Sequence, residues 1–249
     1  MLQPLRFSHG WLRHWLGLSL CVLFAVISVI GLAPAALAGE GISNPYPSLP
    51  YLQGDATVEL MVNDASITLE IKGKEAPITA GNFVELVNNG FYNGLSFHRV
   101  IRSPRPFVAQ GGDPQSANPN VPLSQLGTGG YVDPDTGFER YIPLEILPEG
   151  FDNPVYGRTL KRARISTEPV LYHRRGAVAM ARAQEFNSAS SQFYITLADQ
   201  GFLDGNYAVF GYVTDGMEAV DQIQMGDRIT TATVISGIEN LVLPSTPQD

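Results

Sequence analysis

Two stretches of this 249-residue chain carry side chains able to do chemistry. The first runs Phe97-His98-Arg99-Val100-Ile101 and, after a short loop, Phe107-Val108-Ala109-Gln110-Gly111-Gly112-Asp113. The second runs Ala179-Met180-Ala181-Arg182, then Asn187-Ser188-Ala189-Ser190-Ser191-Gln192-Phe193-Tyr194-Ile195, and ends with Phe202-Leu203-Asp204-Gly205 before Val209-Phe210-Gly211. Together they offer a permanent cation with a rigid fork of donors, amide side chains and several aromatic rings. They offer no activated nucleophile. The single cysteine, Cys21, lies far upstream, His98 and His173 have no partner motif, and no Gly-x-Ser-x-Gly elbow occurs, which argues against a hydrolase.

Residue periodicity indicates the elements that must position these groups. Val58, Leu60 and Val62 alternate with polar or exposed-type neighbours, as do Ile67, Leu69 and Ile71, with the turn signal Asn63-Asp64 between them. That pattern predicts a hairpin with one buried face. After Pro77 the period changes, and Ala80, Phe83, Val84 and Val87 recur at helical spacing. A helix is expected over 79–89, with Thr79 as its cap and Gly90 just past its end. Further strands are expected at 95–101, 107–111, 177–181, 192–197, 207–213 and 229–236. Met217, Val220 and Ile223 before Gly226 suggest a second helix. Many short strands with two helices predict a mainly β fold, a closed or nearly closed antiparallel barrel capped by two α-helices, with a sandwich as the alternative. Residues 114–175, rich in proline and glycine and without periodicity, read as a long loop-rich insertion.

The chain ends have their own character. Arg6 and Arg13 precede an almost wholly apolar run over 15–32, and Ala36-Leu37-Ala38 has the small residues of a cleavage site. Residues 1–38 therefore read as a Sec-type signal peptide, the alternative being an uncleaved membrane anchor. No Arg-Arg pair points to the twin-arginine route, and Leu20 before Cys21 is too large for lipid attachment. Residues 39–55 read as a proline-rich linker, 56–240 as the folded domain and 241–249 as a tail. The net charge of −8 argues against a nucleic-acid partner. Arg158, Lys161, Arg162, Arg164, Arg174 and Arg175 concentrate basic charge in or beside the insertion, read either as a solvated face or as a dock for an acidic partner or membrane surface.

The four ordered motifs resemble those of the cyclophilins: an FHRVI segment, a QGGD turn, a MA…SQF strand and an LDG…VFG closing strand. The resemblance spans about residues 56–240 and implies a peptidyl-prolyl cis-trans isomerase. An X–Pro bond turns slowly because amide resonance sets a barrier of about 18–20 kcal/mol. A fixed donor beside the prolyl nitrogen stabilises the twisted, pyramidal state and not the planar one, so it lowers the barrier selectively. No metal or cofactor is needed. By resemblance Arg99 takes that catalytic place and Gln110 contacts the substrate backbone. Phe107, Val108, Tyr194 and Leu203 match the lining of the proline pocket, with Phe202 and Tyr207 at its edge. Ala181, Arg182, Ala183 and Gln192 match the adjoining rim, as does Gly127-Thr128-Gly129-Gly130. His98 is expected to pack or hydrogen-bond in the barrel, since isomerisation moves no proton.

Several positions depart from the family pattern. The loop Arg102-Ser103-Pro104-Arg105-Pro106 is three residues longer than the common form, which could shift Phe107. Arg182 stands where asparagine is common, Tyr194 where phenylalanine is common, and Val108 where methionine is common. Phe202 replaces tryptophan, which implies weak cyclosporin binding, and Tyr207 replaces histidine. The excursion and the Asn-Ser-Ala-Ser-Ser-Gln-Phe string look like cyanobacterial and chloroplast-lumen members, so the periplasm or a thylakoid lumen is the expected location. Expected partners are proline-containing segments of client proteins, bound by a monomer, with any membrane contact through an uncleaved N-terminal segment. The rival reading is the same barrel used as a chaperone with little turnover.

Overall fold

The computed structural model describes residues 44–244. The signal reading of residues 1–38 therefore falls outside the described residues, as does the end of the tail.

In chain order the elements begin with β1 (Tyr51–Leu52), β2 (Ala56–Val62), β3 (Ala65–Ile71), α1 (Pro77–Asn88), β4 (Arg99–Val100) and β5 (Val108–Gly111). The insertion holds β6 (Glu145–Ile146), β7 (Val155–Tyr156) and α2 (Leu160–Ala163). Then come β8 (Ala177–Met180), β9 (Phe193–Thr196), β10 (Val209–Asp215), α3 (Met217–Gln222), β11 (Ile229–Ser236) and β12 (Leu241–Val242).

Eight strands form one antiparallel sheet in the order β11-β2-β3-β10-β8-β9-β5-β4. The chain just before β4 meets the start of β11: Phe97 donates to the Asp227 carbonyl and Ile229 to that of Leu95, both at 2.8 Å, around an antiparallel bridge Ser96–Arg228. The sheet so closes into the expected barrel rather than a sandwich. Asn63 and Asp64 both take positive φ, 51° and 63°, and join β2 to β3 as the hairpin turn.

Strand alternation divides the side chains between two cores. Val58, Leu60, Ile67, Leu69, Ala109, Val178, Met180, Phe193, Ile195 and Phe210 point into the barrel. There Phe83, Tyr92, Phe193 and Phe210 pack as tilted or edge-to-face rings about 5 Å apart. The intervening Val108, Ala177, Ala179, Tyr194 and Val209 point the other way and form a second apolar cluster outside the barrel with Leu203 and Tyr212.

Several sequence expectations need correcting. Helix α1 starts at Pro77, not 79, and Thr79 does not cap it; Ala76 sits at the cap position without a side-chain bond. The donors of the first turn are met from far away, because the Glu145 carboxylate accepts from Ile78 N (3.1 Å) and Thr79 N (2.8 Å). Among the described residues a one-turn helix, α2, capped by Thr159 and too short to show a helical period, joins the two expected helices. Strand β4 is only two residues long, and Leu95 and Phe97 bond to the barrel seam on either side of the isolated Ser96–Arg228 bridge. The stretch 39–55 is not a linker to its end. Tyr51 and Leu52 are buried and pair with Val242 and Leu241, so the first tail residues also belong to the domain. This strand crosses α1 at Gly81, where a Cβ would lie 2.4 Å from the Tyr51 Cα, so only glycine fits.

The insertion forms a small two-stranded sheet, β6 against β7, and is anchored to the barrel by scattered contacts. Besides Glu145, Arg140 pairs with Glu85 and its guanidinium lies 4.5 Å from the centre of the Tyr131 ring. Leu144, Ile146, Leu160 and Ala208 make a small apolar cluster beneath it. The basic group does not act as one patch: Arg175 pairs with Asp221, Arg174 covers Tyr212, and Arg162 covers Phe186.

Candidate active site

The pocket of interest lies on the outer face of the barrel, over the second apolar cluster. Val108 of β5 and Tyr194 of β9 form its floor, as diagonal neighbours on adjacent strands. Leu203, delivered by the 3₁₀ turn Gly201–Leu203, and Phe107 form walls. Ala181, Arg182 and Tyr207 close the remaining side, and Arg99 and Gln110 stand at the mouth. The enclosed volume is about 180 Å³, enough for one small ring. Nine of the twelve anticipated residues thus line a single cavity. Phe202 is not in it: it is 70% exposed and stacks on the outer side of Phe107, at 6.0 Å. Gln192 and Ala183 line the adjoining cleft, with Gly127, Thr128 and Gly129.

With the long 102–106 loop in place, Phe107 lines the cavity. Arg102 donates to the carbonyls of Val220 (3.1 Å) and Ile223 (2.7 Å), which pins the loop to α3. Phe107 and Ile101 bond across its base, with Phe107 N to Ile101 O at 2.9 Å. The extra residues bulge outward as an exposed segment.

Register puts Arg99 opposite Gln110 across the β4–β5 pair. Arg99 Nη1 donates to Gln110 Oε1 at 3.0 Å, and Gln110 Nε2 donates to Gln192 Oε1 at 3.0 Å. Gln192 Nε2 donates onward to the Gly129 carbonyl at 2.8 Å. This chain orients all three side chains, and the Arg99 guanidinium lies 5.6 Å from the Phe107 ring centre. Arg99 is exposed, so its charge is screened by water until a ligand covers it, and it strengthens on binding.

Arg182, in place of asparagine, turns its guanidinium inward. It donates to the carbonyls of Ala183 (2.9 Å) and Asn206 (2.9 Å) and lies between the Tyr207 and Phe186 rings, 4.6 and 5.1 Å from their centres. It ties the two rim segments together, which an asparagine is too short to do.

Two polar residues whose roles the sequence does not show, Asp113 and His173, hold this site. Asp113 is fully buried, and its carboxylate accepts from the backbone N–H groups of Gln115 (2.9 Å), Gly127 (2.6 Å) and Gly129 (3.2 Å), which shapes the glycine rim. The turn before it needs Gly112, whose φ is +89° and whose Cβ would lie 2.5 Å from the Ser191 carbonyl. His173, which has no partner motif in the sequence, has two partners in space: its Nδ1 lies 2.7 Å from Asp204 Oδ1 and its Nε2 2.9 Å from the Tyr194 hydroxyl. The only sequence signal was the acid of the Leu-Asp-Gly string, and 31 residues separate it from His173.

His98 packs in the barrel wall, and neither ring nitrogen makes a hydrogen bond of good geometry with the described residues. Burial holds its pKa below the usual value; Asp113 opposes this, as do the nearby Gln192 side chain and Ser96 backbone. Burial likewise lowers the pKa of His173, against the pull of Asp204. A histidine with a lowered folded pKa gives stability that is complete above the unfolded value, about 6.5, and is lost as pH falls through the folded one. The melting temperature of wild type minus that of His173→Phe is therefore expected to shrink as pH drops from 7.5 to 5. A difference independent of pH would show that His173 does not titrate this way.

The family described as cyclophilin-type peptidyl-prolyl cis-trans isomerase matches residues 57–240. The chain belongs to that family. A Synechocystis sp. protein named for a thylakoid lumen peptidyl-prolyl cis-trans isomerase is 43% identical over 211 residues, covering 81% of this chain and 52% of the relative. A chloroplastic peptidyl-prolyl cis-trans isomerase of Arabidopsis thaliana is 36% identical over 222 residues, covering 82% and 48%. The chain thus spans about half the length of these curated relatives. Among solved structures, a cyclophilin-type isomerase of Cryptosporidium parvum superposes with a TM-score of 0.54 at 26% identity, covering 73% of this chain and 98% of its own. The same parasite protein has been crystallised in the presence of the dipeptide Ala-Pro, with a TM-score of 0.53 to this chain. Among this cyclophilin's described residues, no group of three or more His, Cys, Asp and Glu could hold a metal, and no helix is long and apolar enough to cross a membrane.

Proposed function

We propose that this chain catalyses cis–trans isomerisation of X–Pro bonds in proteins exported to a periplasm or thylakoid lumen, with Arg99 as the catalytic residue. The observation that carries the reading is one juxtaposition: a ring-sized cavity with an apolar floor of Val108 and Tyr194, and the Arg99 guanidinium held at its mouth by Gln110.

A proline ring seated against Phe107, Val108, Tyr194 and Leu203 would fix one side of the amide. Gln110, already braced by Gln192, offers its amide to the peptide backbone. The Arg99 fork then faces the prolyl nitrogen as it becomes pyramidal and gains electron density. Because the interaction grows only as the bond twists, it lowers the barrier instead of merely tightening binding. The peptide displaces water from Arg99, which makes the same contact stronger than in the open site. Neither proton transfer nor a covalent intermediate enters this scheme. The exported location is supported by the leader-like residues 1–38 and by the lumenal and chloroplastic names of the relatives.

The direct test follows cis-to-trans conversion of an Ala-Pro-Phe peptide with the purified protein. Acceleration in proportion to protein concentration is expected. A folded protein that binds the peptide without accelerating its conversion would instead make this barrel a binding module.

A further inference from the structure

The sequence places tyrosine at a pocket position where phenylalanine would serve as well for contact, and the structure shows where the extra hydroxyl goes. Tyr194 is 5% exposed, and its hydroxyl lies 2.9 Å from His173 Nε2. The two rings are nearly parallel, 14° apart, at 6.0 Å. His173 is 1% exposed, and Asp204 Oδ1 stands 2.7 Å from both its Nδ1 and its backbone nitrogen.

The proton positions follow from this geometry. An ionised carboxylate only accepts, so His173 carries its proton on Nδ1 and presents a lone pair at Nε2. The Tyr194 O–H must then donate to Nε2, so its proton points away from the cavity. The pocket floor meets its ligand with an aromatic ring, while the hydroxyl is used as a tether.

The tether joins separate walls. Asp204 follows Leu203 in the chain, so the carboxylate that holds His173 also ends the turn that delivers a pocket wall. The His173 carbonyl accepts from Gln200 N at 2.7 Å, and Gln200 Nε2 donates to the Pro106 carbonyl at 3.0 Å, next to Phe107. Floor, turn and opposite wall all connect through His173.

We propose that the Asp204–His173–Tyr194 relay is a positioning device, which sets the depth and tilt of the Tyr194 ring and so the affinity of the pocket for proline. The inference rests on the reading of this cavity as the proline site. His173 touches no substrate in this scheme; it acts through Tyr194.

The test separates affinity from turnover. In His173→Phe the affinity for an Ala-Pro-Phe peptide, read by NMR titration, is expected to weaken about five- to tenfold, with the exchange rate of bound peptide changed less than twofold. In a Tyr194→Phe background, where no hydroxyl needs an acceptor, the same substitution is expected to change affinity less than twofold. Unchanged affinity with only a lower melting temperature would make His173 purely structural and overturn the proposal. An equal loss in both backgrounds would overturn it too. Should His173→Phe fail to fold, the wild type decides the matter: ¹⁵N shifts must show the proton on Nδ1, and the Nε2 signal must move when peptide binds. The opposite tautomer, or a signal that stays still, would refute the relay. A wild type that binds no proline peptide would remove the reading of the cavity itself, and the relay's role with it.

Discussion

Replacing Arg99 by alanine is expected to cut kcat/KM for a prolyl peptide by about 10²–10³-fold, the cost of removing one oriented donor from a developing charge. The loss should fall mainly on kcat, because the contact matters little to the planar ground state. The fold should survive. Arg99 is exposed, its side chain bonds only to Gln110 among the described residues, and its neighbours in the barrel core are untouched. Peptide assay and circular dichroism on the same sample check both halves. A well-folded variant that turned over at the wild-type rate would remove Arg99 from the mechanism. Lysine in its place keeps the charge but not the planar fork, so Arg99→Lys should recover only part of the activity.

The largest expected effect on stability comes from Glu145, far from the pocket. Its carboxylate is 1% exposed and receives the first-turn N–H groups of α1 from 66 and 67 residues away. Glu145→Ala would leave those donors buried and unmet, at a cost of about 1–3 kcal/mol each before any relaxation. A net loss of about 3 kcal/mol follows, which lowers the melting temperature by roughly 6–12 °C for a domain of this size. Calorimetry would show it directly. A shift under about 2 °C would mean that water replaces the carboxylate at the helix end. The result bears on the insertion as a whole, since Glu145 is the point at which that segment supplies what α1 lacks. Glu145→Gln, which keeps one acceptor, should sit between the two.

These two residues also mark how far the sequence could be read. Arg99 was legible because its placement is local: it lies on a short strand within an unbroken motif, and pairing with β5 puts it opposite Gln110. The β2–β3 hairpin was legible for the same reason, with alternation along each strand and Asn63-Asp64 between. Strand alternation also explains why Phe193 enters the barrel and Tyr194 the pocket, since adjacent residues face opposite sides. Residue types and their period determine such features, and no distant partner is needed.

The roles of Glu145, Asp113 and His173 were not legible, because a buried polar group is defined by what it meets. Nothing near Glu145 in the chain shows that a helix 66 residues earlier lacks a cap. Nothing near His173 shows that a tyrosine and an aspartate will arrive on either side of its ring. The β1–β12 pair, which turned an apparent linker into part of the domain, joins segments 190 residues apart through main-chain bonds that carry no residue signature. The sequence by itself determined the barrel's strands, its inward and outward faces and the arginine at its mouth. Tertiary structure alone decided how the barrel closes, which buried charges are satisfied and what holds the pocket in shape, because burial makes each unmet hydrogen bond costly and only the folded chain supplies the partner.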